Sequence, residues 1–383
     1  MLQFSENTRR HACDTAAFSR ARTENVRRVH RMAPGYAPTA LRALPGLARR
    51  LGARAVYVKD ESSRFGLNAF KGLGGFYAMF RMLCGELGLD PGTATLEALR
   101  EAAGRDGLRA FHFATTTDGN HGRGVARAAG VFGCRAHVFL PRGSAEVRAR
   151  AIRAAGAEAT ITGMDYDDCV AWVGGIAGER GWRLIQDTAW PGYEEVPLWI
   201  MQGYTTLFYE ALDQMDARPT HLLLQAGVGA MAGAVAGAAL ESCGAPVIAT
   251  VEPETVACFR ESFRAGDGLP HRATGSGETI MAGLNCAVPC TLAWDILGGC
   301  AVGGFACPDG IAERGMRLLG GLEPPVISGE SGAVTAGLLD ALTEADGREL
   351  REALRLDERA VVLLVSTEGD TDPERYRRVL RGE

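Results

Sequence analysis

Blocks of apolar residues recur along this chain at spacings that alternate between those of strands and those of helices. The short apolar blocks predict buried strands. They cover residues 55–59, 111–115, 136–140, 159–161, 183–185, 222–225, 247–251 and 361–365. From residue 110 onward strand and helix alternate, which is typical of βαβ units with parallel strands. The pattern therefore predicts an α/β fold.

Helical periodicity fills the stretches between these strands. One helix is predicted to begin at Lys71, with an apolar face formed by Phe76, Met79, Phe80 and Leu83. The other predicted helices cover residues 44–51, 96–103, 122–129, 145–155, 165–177, 201–215 and 231–240. Residues 1–35 are polar, which predicts an irregular arm or cap. With 383 residues the chain can form one large domain or two, and its two series of strands and helices favour two.

The composition is that of an ordinary globular protein and excludes several functional classes. Apolar residues make up 46% of the chain and charged residues 23%. The formal net charge of −5 leaves no basic footprint for nucleic acid or an anionic membrane. No apolar run reaches transmembrane length, and no signal-peptide pattern opens the chain. We therefore expect a cytoplasmic protein with neither nucleic-acid nor membrane partners.

Cysteine and histidine spacing gives no metal signature. None of the ten cysteines forms Cys-x-x-Cys, and no histidine pair has ligand spacing. Cys286 and Cys290 form the nearest thing to a cluster, but no second ligand pair stands nearby. We expect free thiols in a reducing compartment and no metal ion.

The segment 59–75, KDESSRFGLNAFKGLGG, carries a lysine at a position suited to covalent chemistry. Lys71 precedes the small residues Gly72 and Gly74 and follows Phe70. An amine becomes nucleophilic when an apolar or cationic setting lowers its pKa, and it can then hold an aldehyde cofactor as a Schiff base. Most lysines are solvated surface groups, so this segment alone also permits a surface lysine at a helix start.

A glycine-rich turn lies between a predicted strand and a predicted helix. It consists of Gly227, Val228, Gly229, Ala230 and Met231. Glycines let the backbone approach a ligand, so N–H groups of such a turn can surround a phosphate at the positive end of the helix. A dinucleotide site uses a similar turn, but the Gly-x-Gly-x-x-Gly spacing is absent here. A tight turn without a ligand is the third interpretation, and we favour a cofactor phosphate.

Further motifs occur in a fixed order around these two. They are residues 115–124 (TTTDGNHGRG), 186–204 (QDTAWPGYEEVPLWIMQGY), 279–284 (TIMAGL), 328–333 (SGESGA) and 365–373 (VSTEGDTDP). On these motifs the chain resembles the fold-type II pyridoxal-phosphate enzymes, the tryptophan-synthase-β group. Within that group it most resembles the diaminopropionate ammonia-lyases, from about residue 26 to residue 376.

This resemblance implies an architecture and a reaction. The fold would be α/β with two domains, each a mainly parallel sheet flanked by helices, and with pyridoxal 5'-phosphate in the cleft between them. The large cofactor-binding domain would comprise residues 1–75 and 191–383, and the small domain residues 76–190. The enzyme would be a homodimer and would act in amino-acid catabolism. It would convert D- and L-2,3-diaminopropionate to pyruvate and ammonia by α,β-elimination.

The resemblance also implies the cofactor contacts. Lys71 matches the lysine of the Schiff base, and the glycine turn matches the phosphate site. Asn120 matches the amide that hydrogen-bonds the phenolate oxygen, although Asn is also a favoured helix N-cap. Ser366 or Thr367 would lie near the pyridine nitrogen. A hydroxyl there leaves the nitrogen uncharged, which favours elimination over transamination.

Two carboxylates would decide the substrate. Asp118 and Asp187 match aspartates that bind the distal amino group of the substrate, and a carboxylate suits a second, cationic nitrogen. Asp118 would also remove the α-proton of one enantiomer, and Lys71 that of the other. Without the family context both aspartates could be turn or cap residues. We expect His121 to be a packed histidine rather than a base.

Other functions stay open from the sequence. A serine or threonine dehydratase, or a β-replacing synthase, would use the same cofactor. Asp118, Asp187 and the segment 365–373 argue against a dehydratase, whereas a nucleophile pocket leaves little trace in a sequence. A non-catalytic scaffold is disfavoured, because Lys71 and the glycine turn are both present.

Overall fold

The structure is a computed structural model that describes residues 2–105, 107–117 and 119–383. The strands are β1 Gln3–Glu6, β2 Ala40–Ala43, β3 Ala55–Asp60, β4 His112–Thr116, β5 Arg135–Leu140, β6 Glu158–Ile161, β7 Arg183–Leu184, β8 His221–Gln225, β9 Val247–Pro253, β10 Gly303–Cys307 and β11 Val361–Ser366. The helices are α1 Arg20–Arg31, α2 Pro45–Leu51, α3 Gly72–Glu86, α4 Leu96–Ala102, α5 Asn120–Phe132, α6 Glu146–Ala154, α7 Tyr166–Arg180, α8 Glu195–Gln214, α9 Ala230–Cys243, α10 Cys258–Ala265, α11 Thr291–Cys300, α12 Asp309–Gly320, α13 Glu330–Ala341, α14 Arg348–Leu354 and α15 Pro373–Arg381.

One compact unit comprises residues 1–20, 38–70 and 207–383. Its sheet has the strand order β1-β10-β9-β8-β11-β3-β2. The inner strands run parallel, and the edge strands β1 and β2 pair antiparallel with β10 and β3. In open sheets of this kind, ligands bind beyond the carboxyl ends of the strands. The glycine turn follows β8 at that edge, and Thr367 follows β11 there.

The core of this unit lies where the sheet meets its helices. Leu223, Val362 and Leu364 are buried together with residues of α2, α12 and α13. Helices α12 and α13 approach each other closely, because a Cβ atom on Gly315 or Gly337 would overlap the backbone of the facing helix.

The other compact unit comprises residues 21–37 and 71–206. Its sheet is parallel, with the order β6-β5-β4-β7. Helix α3 is buried along most of its length and packs on α5, where a Cβ atom on Gly124 would lie 3.0 Å from Cα of Gly72. Close packing of α3 and α5 fixes the start of α3.

The structure confirms the predicted α/β fold with mainly parallel sheets. The predicted strands are present, and each end lies within two residues of its expected position. The helix that begins after Lys71 buries Phe76, Met79, Phe80 and Leu83 as expected.

The prediction of an irregular arm at residues 1–35 is wrong. Strand β1 and helix α1 lie there. Helix α1 buries Val26, Val29 and His30, whereas arginines occupy many of its other positions. The apolar face is too narrow to stand out in an arginine-rich stretch, and β1 is a short edge strand.

No helix in the described part of the chain is long and apolar enough to cross a membrane. Among the described residues, no group of three or more histidine, cysteine, aspartate or glutamate side chains is arranged to hold a metal ion. The ten cysteines, all of them within the described ranges, are free thiols.

Candidate active site

The segment between β3 and α3 leads directly to Lys71. After β3 the chain forms a short 3₁₀ helix at Glu61–Gly66, and Asn68 then adopts a φ of 57° in the left-handed region. The backbone N–H of Phe70 donates to the carbonyl oxygen of Thr367 at 3.0 Å. Lys71 follows as the N-cap residue of α3. These contacts fix the backbone that precedes Lys71.

The ammonium group of Lys71 donates to a buried carboxylate. Its Nζ atom lies 2.5 Å from Oδ2 of Asp187, and the two side chains are 19% and 8% exposed. Burial by itself would raise the pKa of Asp187, but the charge of the Lys71 ammonium and its hydrogen bond outweigh burial and hold that pKa below its usual value. Asp187 is therefore ionised at any neutral pH, and the pair is an ion pair in a nearly dry setting.

His121 is packed, as expected, but it also faces Asp187. Its Nε2 atom lies 2.8 Å from the carbonyl oxygen of Ile185, so Nε2 carries the proton and donates it. Burial lowers the pKa of His121, which keeps the ring neutral. The Nδ1 atom lies 3.8 Å from Oδ2 of Asp187 and has no hydrogen-bond partner among the described residues.

Tyr204 is a further neighbour of Lys71 that the sequence analysis did not select. The Lys71 Nζ atom lies 5.9 Å from the centre of its ring. Tyr204 is fully buried, and burial raises its pKa, so the hydroxyl is un-ionised at neutral pH. Its only signal in the sequence was its place at the end of the motif 186–204.

Lysine is almost absent from this protein. Of its 41 lysine and arginine residues only Lys59 and Lys71 are lysines. The Lys59 side chain is fully buried, 2.9 Å from Glu210, and Arg64 binds the same glutamate at 2.6 Å. Lys71 is therefore the one lysine whose side-chain amine solvent can reach.

The loop that follows β4 prepares the start of α5. Thr117 Oγ1 accepts hydrogen bonds from the backbone N–H groups of Gly119 at 2.9 Å and Gly122 at 3.1 Å. Asn120 is the first residue of α5, and Gly119 occupies the N-cap position. Thr117, rather than Asn120, thus performs the capping. Asp118 lies outside the described residues.

In the larger unit the glycine turn leads into a helix end that no described side chain caps. Gly229 has a φ of 87° and is the N-cap of α9, and among the described residues no side chain caps this helix. A Cβ atom on Gly229 would overlap the ring of Phe259, and one on Gly227 would lie 3.2 Å from Sγ of Cys286. The first N–H groups of a helix lack partners within the helix. Together with the helix dipole they suit an anion such as a phosphate.

The two hydroxyl groups after β11 have different surroundings. Ser366 is fully buried and its Oγ lies 2.8 Å from Oγ of Ser328. Thr367 Oγ1 accepts a hydrogen bond from Nε2 of Gln225 at 3.3 Å, and the same Nε2 donates to the carbonyl oxygen of Val365 at 2.7 Å. Ser366 is thus paired within the core, whereas Thr367 keeps its hydroxyl proton for another acceptor.

The predicted site residues fall into two groups, one in each unit. Lys71, Asn120 and Asp187 belong to the smaller unit, where Lys71 and Asp187 are in contact. The glycine turn and the segment 366–367 belong to the larger unit, at the carboxyl ends of β8 and β11.

Comparison with known proteins extends these observations. Residues 32–368 match the family of pyridoxal-phosphate dependent enzymes. The diaminopropionate ammonia-lyase of Escherichia coli (strain K12) is 47% identical over 372 residues, which is 95% of this chain and 92% of that protein. A crystal structure of the Escherichia coli enzyme in complex with an aminoacrylate-PLP azomethine reaction intermediate has a TM-score of 0.91 and 43% identity, and the match covers 100% of this chain and 98% of that one. The same enzyme in complex with D-serine has a TM-score of 0.93 and 44% identity, with the same coverage. The chain therefore belongs to the pyridoxal-phosphate dependent enzymes and, within them, to the diaminopropionate ammonia-lyase family.

Proposed function

We propose that this protein removes ammonia from D- and L-2,3-diaminopropionate by α,β-elimination and yields pyruvate and ammonia. The observation that carries the proposal is the ion pair of Lys71 and Asp187 at 2.5 Å. It places a reactive amine beside a buried carboxylate that can bind a second, cationic nitrogen. The relatives that bear the name diaminopropionate ammonia-lyase support the same substrate.

The residues present fit pyridoxal phosphate. Lys71 offers a partly buried amine for its aldehyde. The turn at Gly227 and Gly229 offers an uncapped helix end, and a Cβ atom at either glycine would meet a neighbouring residue. Asn120 would hold the phenolate oxygen, and Thr367 the pyridine nitrogen. When bound, the cofactor supplies an electron-withdrawing ring that stabilises negative charge at the substrate α-carbon.

Asp187 selects the substrate by charge. Lys71 occupies this carboxylate in the structure, and once the lysine is engaged elsewhere, Asp187 becomes a buried carboxylate without its cation. An unpaired buried charge is costly, so the distal ammonium of diaminopropionate is drawn to that place. A hydroxyl substrate such as serine carries no charge that could restore the pair.

Lys71 and Asp118 move the α-proton. As a neutral amine Lys71 removes it from the L-enantiomer, and Asp118 removes it from the D-enantiomer on the opposite face. The bond between the β-carbon and its nitrogen then breaks, and the nitrogen leaves as ammonia. The remaining enamino acid takes up water and yields pyruvate with a second ammonia.

The test is a product assay with covalent mapping. Pyruvate is measured from each enantiomer and from serine, with and without added thiol to detect β-replacement. Borohydride reduction followed by peptide mass mapping should fix the cofactor on Lys71, with Lys59 as an internal control. Asp118→Asn should lose activity toward the D-enantiomer and keep it toward the L-enantiomer. Attachment of the cofactor elsewhere, or equal loss for both enantiomers, would contradict these assignments.

Three further expectations from the resemblance belong to this proposal. The enzyme is a homodimer, which light scattering of the purified protein tests. It acts in the cytoplasm in amino-acid catabolism, which cell fractionation and growth on diaminopropionate test. Residues 1–75 with 191–383 form the large cofactor-binding domain and residues 76–190 the small one, and limited proteolysis with and without cofactor tests these boundaries.

A further inference from the structure

Four charged side chains form a buried cluster in the larger unit, at the start of the segment that leads to Lys71. They are Lys59, Glu61, Arg64 and Glu210, and each is at most 2% exposed. Arg64 joins the two carboxylates, because its Nη2 atom donates to Oε1 of Glu61 at 2.8 Å and to Oε2 of Glu210 at 2.6 Å. The Nζ atom of Lys59 lies 2.9 Å from the same Oε2 atom. Two positive and two negative charges thus balance in the interior.

The ion cluster holds Arg64 in one orientation. Burial by itself would raise the pKa of Glu210, but its bonds to Arg64 and Lys59 outweigh burial and keep that pKa below its usual value, so the carboxylate is ionised. Separating a buried ion pair leaves a charge without a partner, which is costly. The planar guanidinium of Arg64 also fixes the direction of each hydrogen bond, which the flexible ammonium of a lysine does not.

The turn that follows Arg64 has a strained backbone. Phe65 has a φ of 53° and Asn68 a φ of 57°, both in the left-handed region. Residues other than glycine rarely occupy this region, and a bulky side chain such as that of phenylalanine makes it costly. Strained backbone of this kind persists only where the surrounding structure holds it.

The other end of this turn is held by the segment after β11. The backbone N–H of Gly369 donates to the carbonyl oxygen of Asn68 at 3.1 Å, and that of Phe70 donates to Thr367 at 3.0 Å. A Cβ atom on Gly369 would overlap Oδ1 of Asn68, so the two segments are in close contact. The strained turn is therefore held between these hydrogen bonds and the ion cluster, and Lys71 is the residue after Phe70.

We propose that Arg64 is a positioning residue for Lys71, because its bonds to Glu61 and Glu210 maintain the strained turn 65–68 that sets where this lysine enters α3. This role rests on the proposed function, in which the Lys71 amine holds the cofactor. Without both bonds the turn relaxes toward ordinary φ values, and the amine loses its fixed place while the rest of the unit stays folded. A misplacement of about 1 Å can lower a reaction rate about 100-fold.

The test compares Arg64→Lys with Arg314→Lys in the full chain prepared without cofactor. Lysine keeps the positive charge, so no buried carboxylate loses its counter-charge, but it cannot bind both glutamates as the guanidinium does. Arg314 is the matched control at a more exposed place in the same unit, since it also joins two carboxylates, Asp340 at 2.6 Å and Glu344 at 2.5 Å. Hydrogen exchange of the backbone amides is followed residue by residue.

The amides of Leu67 and Phe70 report on the turn. Leu67 donates to the carbonyl oxygen of Arg64 at 2.9 Å, and Phe70 to that of Thr367. In Arg64→Lys both amides should exchange about tenfold faster, the effect of losing one or two hydrogen bonds, whereas β11 keeps its wild-type rates. In Arg314→Lys they should exchange as in the wild type. Unchanged exchange of both amides, an equal rise in β11, or the same rise in Arg314→Lys would overturn the proposal.

The loaded enzyme gives a second readout. Arg64→Lys should lower kcat about tenfold for the L-enantiomer and leave KM within twofold, because Arg64 positions the amine and does not contact the substrate in this assignment. Arg314→Lys should keep both constants. A loss of stability with a wild-type kcat would show that the cluster only stabilises the fold, and the proposal would fail. A wild-type protein that forms no pyruvate would refute the proposed function, whereas the exchange result would still decide the role of Arg64.

A measurement on the wild type avoids any folding defect of the variants. If the ion cluster holds the turn, the amides of Leu67 and Phe70 should exchange about as slowly as those of β11. If both exchange as fast as the amides of exposed loops, the turn opens freely and Arg64 does not hold it.

Discussion

The carboxyl group of Glu252 holds the first turn of the helix that carries Phe259. Its Oε1 atom accepts the backbone N–H of Phe259 and its Oε2 atom that of Arg260, each at 2.8 Å. Phe259 in turn fills the space beside Gly229, where any side chain would overlap its ring. A fully buried acid thus sets the wall of the glycine turn from the end of β9.

Glu252 should make the protein less stable as the pH rises. Burial raises its pKa from 4.5 to about 8, so between these values the folded protein holds a proton that the unfolded chain has released. The unfolded state binds fewer protons in that window, and the free energy of unfolding therefore falls as pH increases through it. We expect wild type to lose on the order of 3 kcal/mol between pH 5 and pH 9 from this group, and Glu252→Gln to lose less.

Urea unfolding at a series of pH values measures this difference. The comparison of wild type with Glu252→Gln isolates this residue from Glu330, whose pKa burial raises to about 7. Parallel pH dependence of the two proteins would show that Glu252 ionises as easily in the folded state as in the unfolded chain.

Gly229→Ala should impair cofactor binding, whereas the same substitution at a glycine without close neighbours should not. In this variant an alanine must adopt a φ of 87°, and its Cβ atom would overlap the Phe259 ring. Gly266→Ala is the matched control, since Gly266 has a φ of 69° but nothing within 4 Å of a Cβ atom. The control should cost about 1 kcal/mol of stability and leave cofactor affinity unchanged.

Titration with pyridoxal phosphate, followed by its visible absorbance, measures the affinity of both variants. We expect Gly229→Ala to weaken binding at least tenfold, because Phe259 must move and the N–H groups of the turn move with it. Equal affinities in the two variants would place the phosphate somewhere other than this turn.

Asp187→Asn should weaken recognition of the doubly cationic substrate. The amide keeps the shape of the carboxylate and loses its charge, so kcat/KM for diaminopropionate should fall about 30-fold, the range of a charged hydrogen bond. Steady-state pyruvate formation measures it.

An exposed carboxylate provides the control for Asp187. Asp267, which lies 2.8 Å from the exposed His271, can be changed to Asn without effect on kcat/KM. If Asp187→Asn keeps the wild-type kcat/KM for diaminopropionate, another group selects the distal ammonium.

Ser366→Ala and Thr367→Val should separate a structural hydroxyl from a cofactor contact. Ser366→Ala leaves the buried Ser328 hydroxyl without this partner, which should cost about 1–2 kcal/mol of unfolding free energy and leave the cofactor spectrum intact. Thr367→Val should shift the visible absorbance of the bound cofactor with a smaller loss of stability. The reverse pattern would assign the contact to Ser366. Visible spectra and urea unfolding of both variants decide between them.

Local patterns were sufficient for the inner strands other than β10 and for the helix that begins after Lys71, because these elements are mostly apolar and flanked by clear breaks. Strand β10 was not predicted, and its Gly303 and Gly304 explain why, since glycine is rare in strands. Gly304 has a packing reason, because a Cβ atom there would lie 2.6 Å from Oγ1 of Thr250 on β9. Such a contact cannot be read from the local sequence.

The same limit applies to the candidate site. Lys71 and Asp187 could be selected from motifs, but nothing in the local sequence indicates that they lie 2.5 Å apart. Tyr204 was not selected from the sequence for a similar reason. Its proximity to Lys71 depends on Gly74 and Gly203, two small residues far apart in the chain that let their helices meet. Long-range packing, rather than residue type, creates this neighbourhood.

The scarcity of lysine has a chemical consequence for this enzyme in the cell. Reactive acyl donors and reducing sugars damage proteins mainly at side-chain amines, and on most proteins many surface lysines share that damage. Here Lys59 is buried in an ion pair with Glu210, so Lys71 is the lysine that such reagents can modify. A bound aldehyde cofactor would then protect the only solvent-accessible lysine of the chain. Modification of Lys71 would be fastest when that cofactor is scarce.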